Sequence, residues 1–376
     1  MAPTILLSAG EPSGDLHGAA LARALRRRWP DAELYGLGGP LMQEAGVELL
    51  AHTDELAVMG FAEVFRHLPY FLRLMRRVRR TLRERRPALV IPIDYPGFNL
   101  RLANAARRSG IPVLYYIAPQ VWAWHRSRVH GLARAADRLA VILPFEEKLF
   151  RAAGANVHFV GHPLLDLAPA RLTRAEFCAR HGLDPDRPVL ALFPGSRRQE
   201  VGRHLALFAA AARQVCAERP DVQAIIATSP AVPAEHYRSV ALPRATDSWE
   251  LLHHADTALV KSGTSTLQAA LTATPLVVAY RMHDLSYALA RRLVRVPHVA
   301  LVNLVAEARV APELIQDAAT PQALAHELLP RLPGGDHHEE ARAALAAVRA
   351  RLVPPGGAGT AAERVSALAA ELIHAA

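Results

Sequence analysis

Four loops in this sequence carry residue types whose spacing could do chemistry. In Gly10-Glu11-Pro12-Ser13-Gly14-Asp15-Leu16-His17-Gly18 the glycines let the backbone pass close to a ligand, and a helix start there favours an anion or oxyanion. The spacing is not Gly-x-Gly-x-x-Gly, which argues against a dinucleotide. A tight turn with Ser13 or Asp15 as helix cap accounts for the same residues without a ligand. Asp94 ends the apolar run 89–93 and precedes Tyr95-Pro96-Gly97-Phe98-Asn99. A carboxylate so placed could take a proton from a sugar hydroxyl, and a helix cap or structural hydrogen bond is the alternative.

The other two loops suit phosphate. Phe193-Pro194-Gly195-Ser196-Arg197-Arg198-Gln199-Glu200 combines a close-approach glycine, a hydroxyl, two guanidiniums and a helix start. Lys261-Ser262-Gly263-Thr264-Ser265-Thr266-Leu267-Gln268 offers small donors, with Gln268 about one turn further along. Neither is a Walker A motif, and two such loops in one half of the chain point to a nucleotide diphosphate. Asp184-Pro185-Asp186 has the Asp-x-Asp form of metal-dependent sugar-nucleotide enzymes but sits among prolines and reads as a turn. His253-His254 and His337-His338-Glu339-Glu340 do not match His-Glu-x-x-His and read as solvated helix faces. The expectation is no metal site and no cofactor.

Such loops need strands and helices to aim them. Apolar runs at 5–8, 34–37, 89–93, 113–117 and 139–143 alternate with amphipathic stretches such as 14–28; the pattern lapses through Asp184-Pro185-Asp186-Arg187-Pro188 and resumes at 189–193, 223–227, 257–260 and 276–279. Alternation of this kind predicts an α/β fold with parallel sheets, whose ligands lie beyond the carboxyl ends of the strands. The 376 residues are too many for one small core and predict two domains, divided at the proline-rich break and followed by an Ala-, Leu- and Arg-rich helical tail.

No stretch approaches the roughly 18 apolar residues of a spanning helix, and the N-terminus runs straight into a strand-like segment without a signal peptide. Cys178 and Cys216 are too few for a disulfide framework, so a cytoplasmic location is expected. The net charge of +9 is unevenly spread: between Glu63 and Arg86 lie nine arginines. There Leu68, Phe71, Leu72, Met75, Val78 and Leu82 cluster on one helical face, opposite Arg73, Arg76, Arg77, Arg80 and Arg83. A basic amphipathic helix can lie on an anionic membrane, or pack its apolar stripe on a sheet. Nucleic-acid binding ranks lowest, with no module or aromatic-basic interleaving to support it.

Gly10–Asp15, Glu55-Leu56-Ala57-Val58-Met59-Gly60, Ile93-Asp94 with Phe98-Asn99, Pro119-Gln120-Val121-Trp122-Ala123-Trp124 and Leu143-Pro144-Phe145-Glu146 together resemble the lipid-A-disaccharide synthase family. So do Val160-Gly161-His162-Pro163, Pro194-Gly195-Ser196-Arg197 with Glu200-Val201, Ser262-Gly263-Thr264 and Tyr280-Arg281-Met282, in order along the chain. The resemblance implies a GT-B fold: two Rossmann-like domains, 1–168 and 188–330, facing each other across a cleft, with a helical tail, 331–376, packing back toward the first. It implies inverting transfer from UDP-2,3-diacylglucosamine to 2,3-diacylglucosamine 1-phosphate, giving a β-1,6-linked disaccharide and UDP without a metal. Asp94 would be the base, with Glu11 as alternative, and Arg197 would stabilise departing UDP. Gly195, Ser196, Arg197, Ser262, Gly263, Thr264, Gln268, Asn303 and Gln316 would bind the donor, and Ser13, Gly14 and Asn99 would also contact substrate.

Membrane contact through Leu68, Phe71, Leu72, Met75, Arg76 and Arg80 would place the enzyme peripherally on the inner membrane; a homodimer stays open. Two positions depart from the family pattern: Gly97 replaces an aspartate in the Asp94 loop, and Gln268 replaces a glutamate that suits ribose. The competing readings are a related UDP-N-acetylglucosamine transferase or 2-epimerase, and a non-catalytic membrane-surface or RNA-binding protein.

Overall fold

A computed structural model describes residues 2–53, 61–120, 127–283, 287 and 296–375, with residues 61–68, 127 and 128 described by backbone alone. The family motifs at 55–60 and 121–124 lie outside the described residues. The chain divides into two compact units, Met1–Asp166 together with Val353–Ala376, and Leu167–Leu352.

The first unit holds seven parallel strands: β1 Thr4–Ala9, β2 Glu33–Gly38, β3 Glu48–His52, β4 Leu89–Ile93, β5 Leu114–Tyr116, β6 Arg138–Val141 and β7 Val157–Phe159. Their order is β3-β2-β1-β4-β5-β6-β7. The second unit holds β8 Val189–Phe193, β9 Gln223–Ala227, β10 Arg244–Ala245, β11 Thr257–Lys261, β12 Leu276–Tyr280 and β13 Glu313–Ile315, in the order β10-β9-β8-β11-β12-β13. Both are doubly wound, and each reverses strand order once, at β1/β4 and at β8/β11. The inner strands are largely buried, along their whole length in Leu-Val-Ile-Pro-Ile of β4 and Val-Leu-Ala-Leu-Phe of β8. Near-continuous apolar runs are what a sheet covered by helices on both faces requires.

Every strand absent from the expected set (β3, β7, β10 and β13) is a sheet edge. An edge strand pairs on one side only and is partly solvated, so the apolar run is cut short by Glu48 and His52 in Glu-Leu-Leu-Ala-His of β3 and broken by His158 in Val-His-Phe of β7.

Two expected boundaries move. The proline-rich break at 184–188 is packed into the second unit rather than forming a linker. The Arg174 guanidinium holds the carbonyls of Pro185, Arg187 and His254 and the Asp256 carboxylate, while the Glu250 carboxylate accepts the Arg171 and Leu172 N–H groups. The chain therefore passes into the second unit at Leu167 instead of after the break. The expected tail is likewise split: the helix His338–Leu352 belongs to the second unit, and the helix Ala361–Ala375 returns to the first.

The arginine-rich segment is a helix, Phe61–Arg85. Leu74, Met75, Val78 and Leu82 are buried in the core with Tyr35 and Leu102, and half-buried Phe71 packs against them. The apolar stripe thus covers the sheet, which is worth roughly 1.5–3 kcal/mol for each fully buried side chain. The expected membrane contact of Phe71 and Met75 is corrected on this ground: those faces are already occupied. Leu72 remains 51% exposed, and Arg76 and Arg80 are exposed. The side chain of Leu68 lies outside the described residues. Among the described residues no helix is long and apolar enough to cross a membrane.

Candidate active site

Because β1 and β4 are neighbours in register, Ala9 against Ile93, the loops that follow them leave the sheet side by side. They carry Glu11 and Asp94. Asp94 and Tyr95 are both left-handed, with φ of 47° and 48°. Aspartate tolerates that region, whereas a bulky aromatic there is strained and must be held. Asn99 does the holding. Wholly buried, it donates through Nδ2 to the carbonyls of Ser8 (3.0 Å), Ile93 (3.1 Å) and Asp94 (2.9 Å), and its Oδ1 accepts from Ser8 Oγ at 2.6 Å. Tyr115 adds a hydroxyl donor to the Asp94 carbonyl at 2.7 Å. The expected substrate contact of Asn99 is therefore corrected to a positioning role, since its hydrogen-bonding atoms are spent inside the fold.

The Tyr95 ring lies against Gly10, where a Cβ would fall 2.2 Å from the ring; this close approach explains one glycine of the first loop. Gly14 is buried against Ala9, Ser13 is exposed in the first turn of the helix Pro12–Arg28, and Glu11 is exposed at the position that precedes it. Asp15 does not cap that helix. Its buried carboxylate accepts the N–H groups of Gly39, Leu41 and Met42 at 2.7–3.1 Å and so caps the next helix, Pro40–Glu44.

Burial pushes the Asp94 carboxyl up to about 6; the Glu11 carboxylate adds to the rise and the Tyr95 N–H opposes it. A half-buried carboxylate with such a value is ionised at neutral pH yet basic enough to take a proton, which suits a general base.

In the second unit the same topology sets the loop after β8 beside the loop after β11. Between them is a cavity of about 300 Å³ lined by Gly195, Ser196, Ser262, Gly263, Thr264 and Gln268, with Thr228, Ser229, Thr246 and Ser248 supplying further hydroxyls. Gly195 has φ of 128°, and a Cβ on it would come within 2.4 Å of the Glu200 Cβ, so both backbone and space demand glycine. Ser196 O accepts from Ser229 Oγ at 3.1 Å, and Ser262 Oγ donates to Val299 O at 3.0 Å. Arg197 stands exposed at the cap of the helix Arg198–Glu218 and is not among the residues lining the cavity.

Two charged residues of these loops, Glu200 and Lys261, also line the cavity and were not singled out as site residues from the sequence. Glu200 Oε1 accepts from Lys261 Nζ at 2.9 Å and Oε2 accepts from the Ser196 N–H at 3.0 Å. Burial pushes the Glu200 carboxyl up, but the Lys261 ammonium and the Ser196 N–H outweigh it and hold it below its ordinary value. Buried His204 ties the framework together, donating from Nδ1 to Glu200 O (2.8 Å) and accepting the Arg281 N–H on Nε2 (2.9 Å). Burial holds it below its usual value, in keeping with a neutral ring.

Asn303 and Gln316, expected at the nucleotide, are engaged elsewhere. Asn303 is fully buried, donating to Ala311 O and Glu313 Oε1 and accepting the N–H groups of Val310 and Ala311. Gln316 accepts the Met282 N–H at 2.7 Å and donates to Met282 O at 3.1 Å. Both assignments are corrected to loop-positioning roles, because these amides already serve backbone groups. Asp184-Pro185-Asp186 is the expected turn, with the Asp186 N–H on Asp184 Oδ1. Among the described residues no three His, Cys, Asp or Glu side chains gather as metal ligands.

Two doubly wound parallel-sheet units, each with its polar loops at the point where strand order reverses, define the GT-B class. The fold is similar to that of the calicheamicin glycosyltransferase CalG4, with a TM-score of 0.64 at 18% identity over 99% of this chain and 98% of that one. Sequence is more specific. A family profile described as lipid-A-disaccharide synthetase matches residues 5–353. Lipid-A-disaccharide synthases of Acidobacterium capsulatum and Syntrophus aciditrophicus are 42% and 43% identical, covering 99% and 98% of this chain and 97% of each relative. The chain belongs to the lipid-A-disaccharide synthase family and is a glycosyltransferase, as its motifs implied.

Proposed function

We propose that this glycosyltransferase joins UDP-2,3-diacylglucosamine to 2,3-diacylglucosamine 1-phosphate with inversion. The observation that carries the reading, in a chain of this family, is the cavity of the second unit. Its glycines and hydroxyls suit a nucleotide diphosphate, and its Gln268 amide can hydrogen-bond ribose hydroxyls. Asp94, held ionised at neutral pH, takes the proton from the acceptor hydroxyl as its oxygen attacks the donor's anomeric carbon. The carbon–oxygen bond to UDP breaks, its electron pair leaves with the diphosphate, and Arg197 with the loop donors stabilises the departing charge. No metal is needed in this scheme. Glu11, exposed beside Asp94, orients the acceptor. Membership of the family favours this reading over the 2-epimerase and the non-catalytic binder.

The exposed face of the helix Phe61–Arg85, with Leu72, Arg76 and Arg80, holds the enzyme against an anionic membrane by charge rather than by a buried apolar stripe. The test is UDP release with the donor, with and without acceptor, in detergent and EDTA. Acceptor-dependent release is expected; tight UDP binding without release would refute the transfer.

A further inference from the structure

Lys261 is one of two lysines in the chain and lines the cavity of the second unit. Its ammonium is held on two sides, and the missing side chain of Gly263 leaves room on a third. Glu200 Oε1 accepts from it at 2.9 Å, the Tyr280 ring centre is 5.3 Å away, and a Cβ on Gly263 would lie 3.9 Å from it. The Lys261 and Glu200 side chains are 16% and 19% exposed, so the pair is sheltered from water and salt yet borders the cavity. The same carboxylate takes the Ser196 N–H on its other oxygen. The carboxylate is thereby anchored to the loop, and the ammonium that it steadies beside the cavity is a donor that a phosphate group takes.

We propose that Lys261 is a diphosphate-binding residue, and that Glu200, anchored to the loop by the Ser196 N–H, is its positioning residue, holding the ammonium in place until a phosphate joins it. The proposal rests on the donor reading above. It adds to the expected phosphate ligands a cation that the loop chemistry alone did not assign, on the wall where Gln268 brings no charge. A lysine presents three donors, of which Glu200 takes one.

A structural ion pair would also weaken anion binding when broken, because the stranded Glu200 carboxylate would repel the diphosphate. The experiment therefore uses three proteins, wild type, Lys261→Met and Lys261→Met/Glu200→Gln, titrated calorimetrically with UDP and with uridine, each first shown to be folded by its thermal transition. The expected result is UDP affinity at least tenfold weaker in Lys261→Met, uridine affinity within about twofold of wild type, and UDP affinity still at least tenfold weaker in the double variant. Recovery of wild-type UDP affinity in the double variant would show that Lys261 only neutralises Glu200, and would overturn the proposal. Equal losses for UDP and uridine would overturn it too. A wild-type protein that binds no UDP would instead refute the donor reading itself, and this inference with it.

Discussion

Replacing Asp94 by asparagine separates what the carboxylate does for catalysis from what its burial costs the fold. Asparagine keeps the side-chain shape, accepts the Tyr95 N–H and tolerates the left-handed φ of 47°, so the loop is preserved. The rise of the Asp94 carboxyl from 3.8 to about 6 corresponds to about 3 kcal/mol favouring the protonated form in the folded state. Because the folded value is raised, the native protein binds this proton more tightly than the unfolded chain. Stability is therefore lost as pH rises from about 4 to about 6, and stays lost above that. Asp94→Asn should accordingly be more stable than wild type at pH 8 by up to about 3 kcal/mol, and equal to it near pH 3. Turnover should fall by about 10²–10⁴-fold with UDP affinity unchanged, and wild-type kcat/KM should rise with pH through an apparent value near 6. Denaturant melts at the two pH values and a pH profile of UDP release check both halves. A fully active variant, or a flat wild-type profile from pH 5 to 8, would refute the assignment of Asp94 as base.

Asn99→Ala strips the donor from three carbonyls and should cost about 3 kcal/mol or more, with faster hydrogen exchange in β1 and β4. Gly10→Ala should push the Tyr95 ring aside, costing about 1–3 kcal/mol in overpacking and reducing turnover through Asp94 while leaving UDP affinity intact; calorimetry with UDP separates the two. Arg76→Glu with Arg80→Glu should weaken binding to phosphatidylserine vesicles by at least about tenfold, given about 1 kcal/mol per cationic residue near an anionic surface, and leave detergent-assayed turnover unchanged.

What the sequence revealed of this site follows from how far each signal reaches. A buried parallel strand needs apolar side chains on both faces, so β1, β4, β8 and β11 are legible as runs, and with them the four loops at their carboxyl ends. Asp94 is legible for the same reason: it is the first polar residue after β4. Hydrogen-bond partners are another matter. Asn99, Asn303 and Gln316 lie near the predicted loops, but whether a buried amide faces a ligand or a carbonyl depends on neighbours that only tertiary structure brings close, such as Ser8, 91 positions from Asn99. The Glu200–Lys261 pair spans 61 positions and was invisible for that reason. Helical periodicity identified the stripe of Phe71, Met75, Val78 and Leu82 without saying whether sheet or lipid would cover it; the sheet does.

The return of the helix Ala361–Ala375 to the first unit sets an order of events during synthesis. Val365, Leu368 and Ala369 fill the same core as Ile5, Leu25 and Leu114, and Arg364 reaches back to the Val160 carbonyl. At about 5–20 residues per second, on the order of 10–40 s separate emergence of β7 from that of this helix, with the whole second unit made in between. The unit begun first is thus the one finished last. Its apolar seam waits, open, for a segment not yet translated, while the second unit can fold without delay. A nascent chain halted near residue 353 would carry a finished second unit and an unsealed first one, a species that exposes apolar surface to chaperones and proteases.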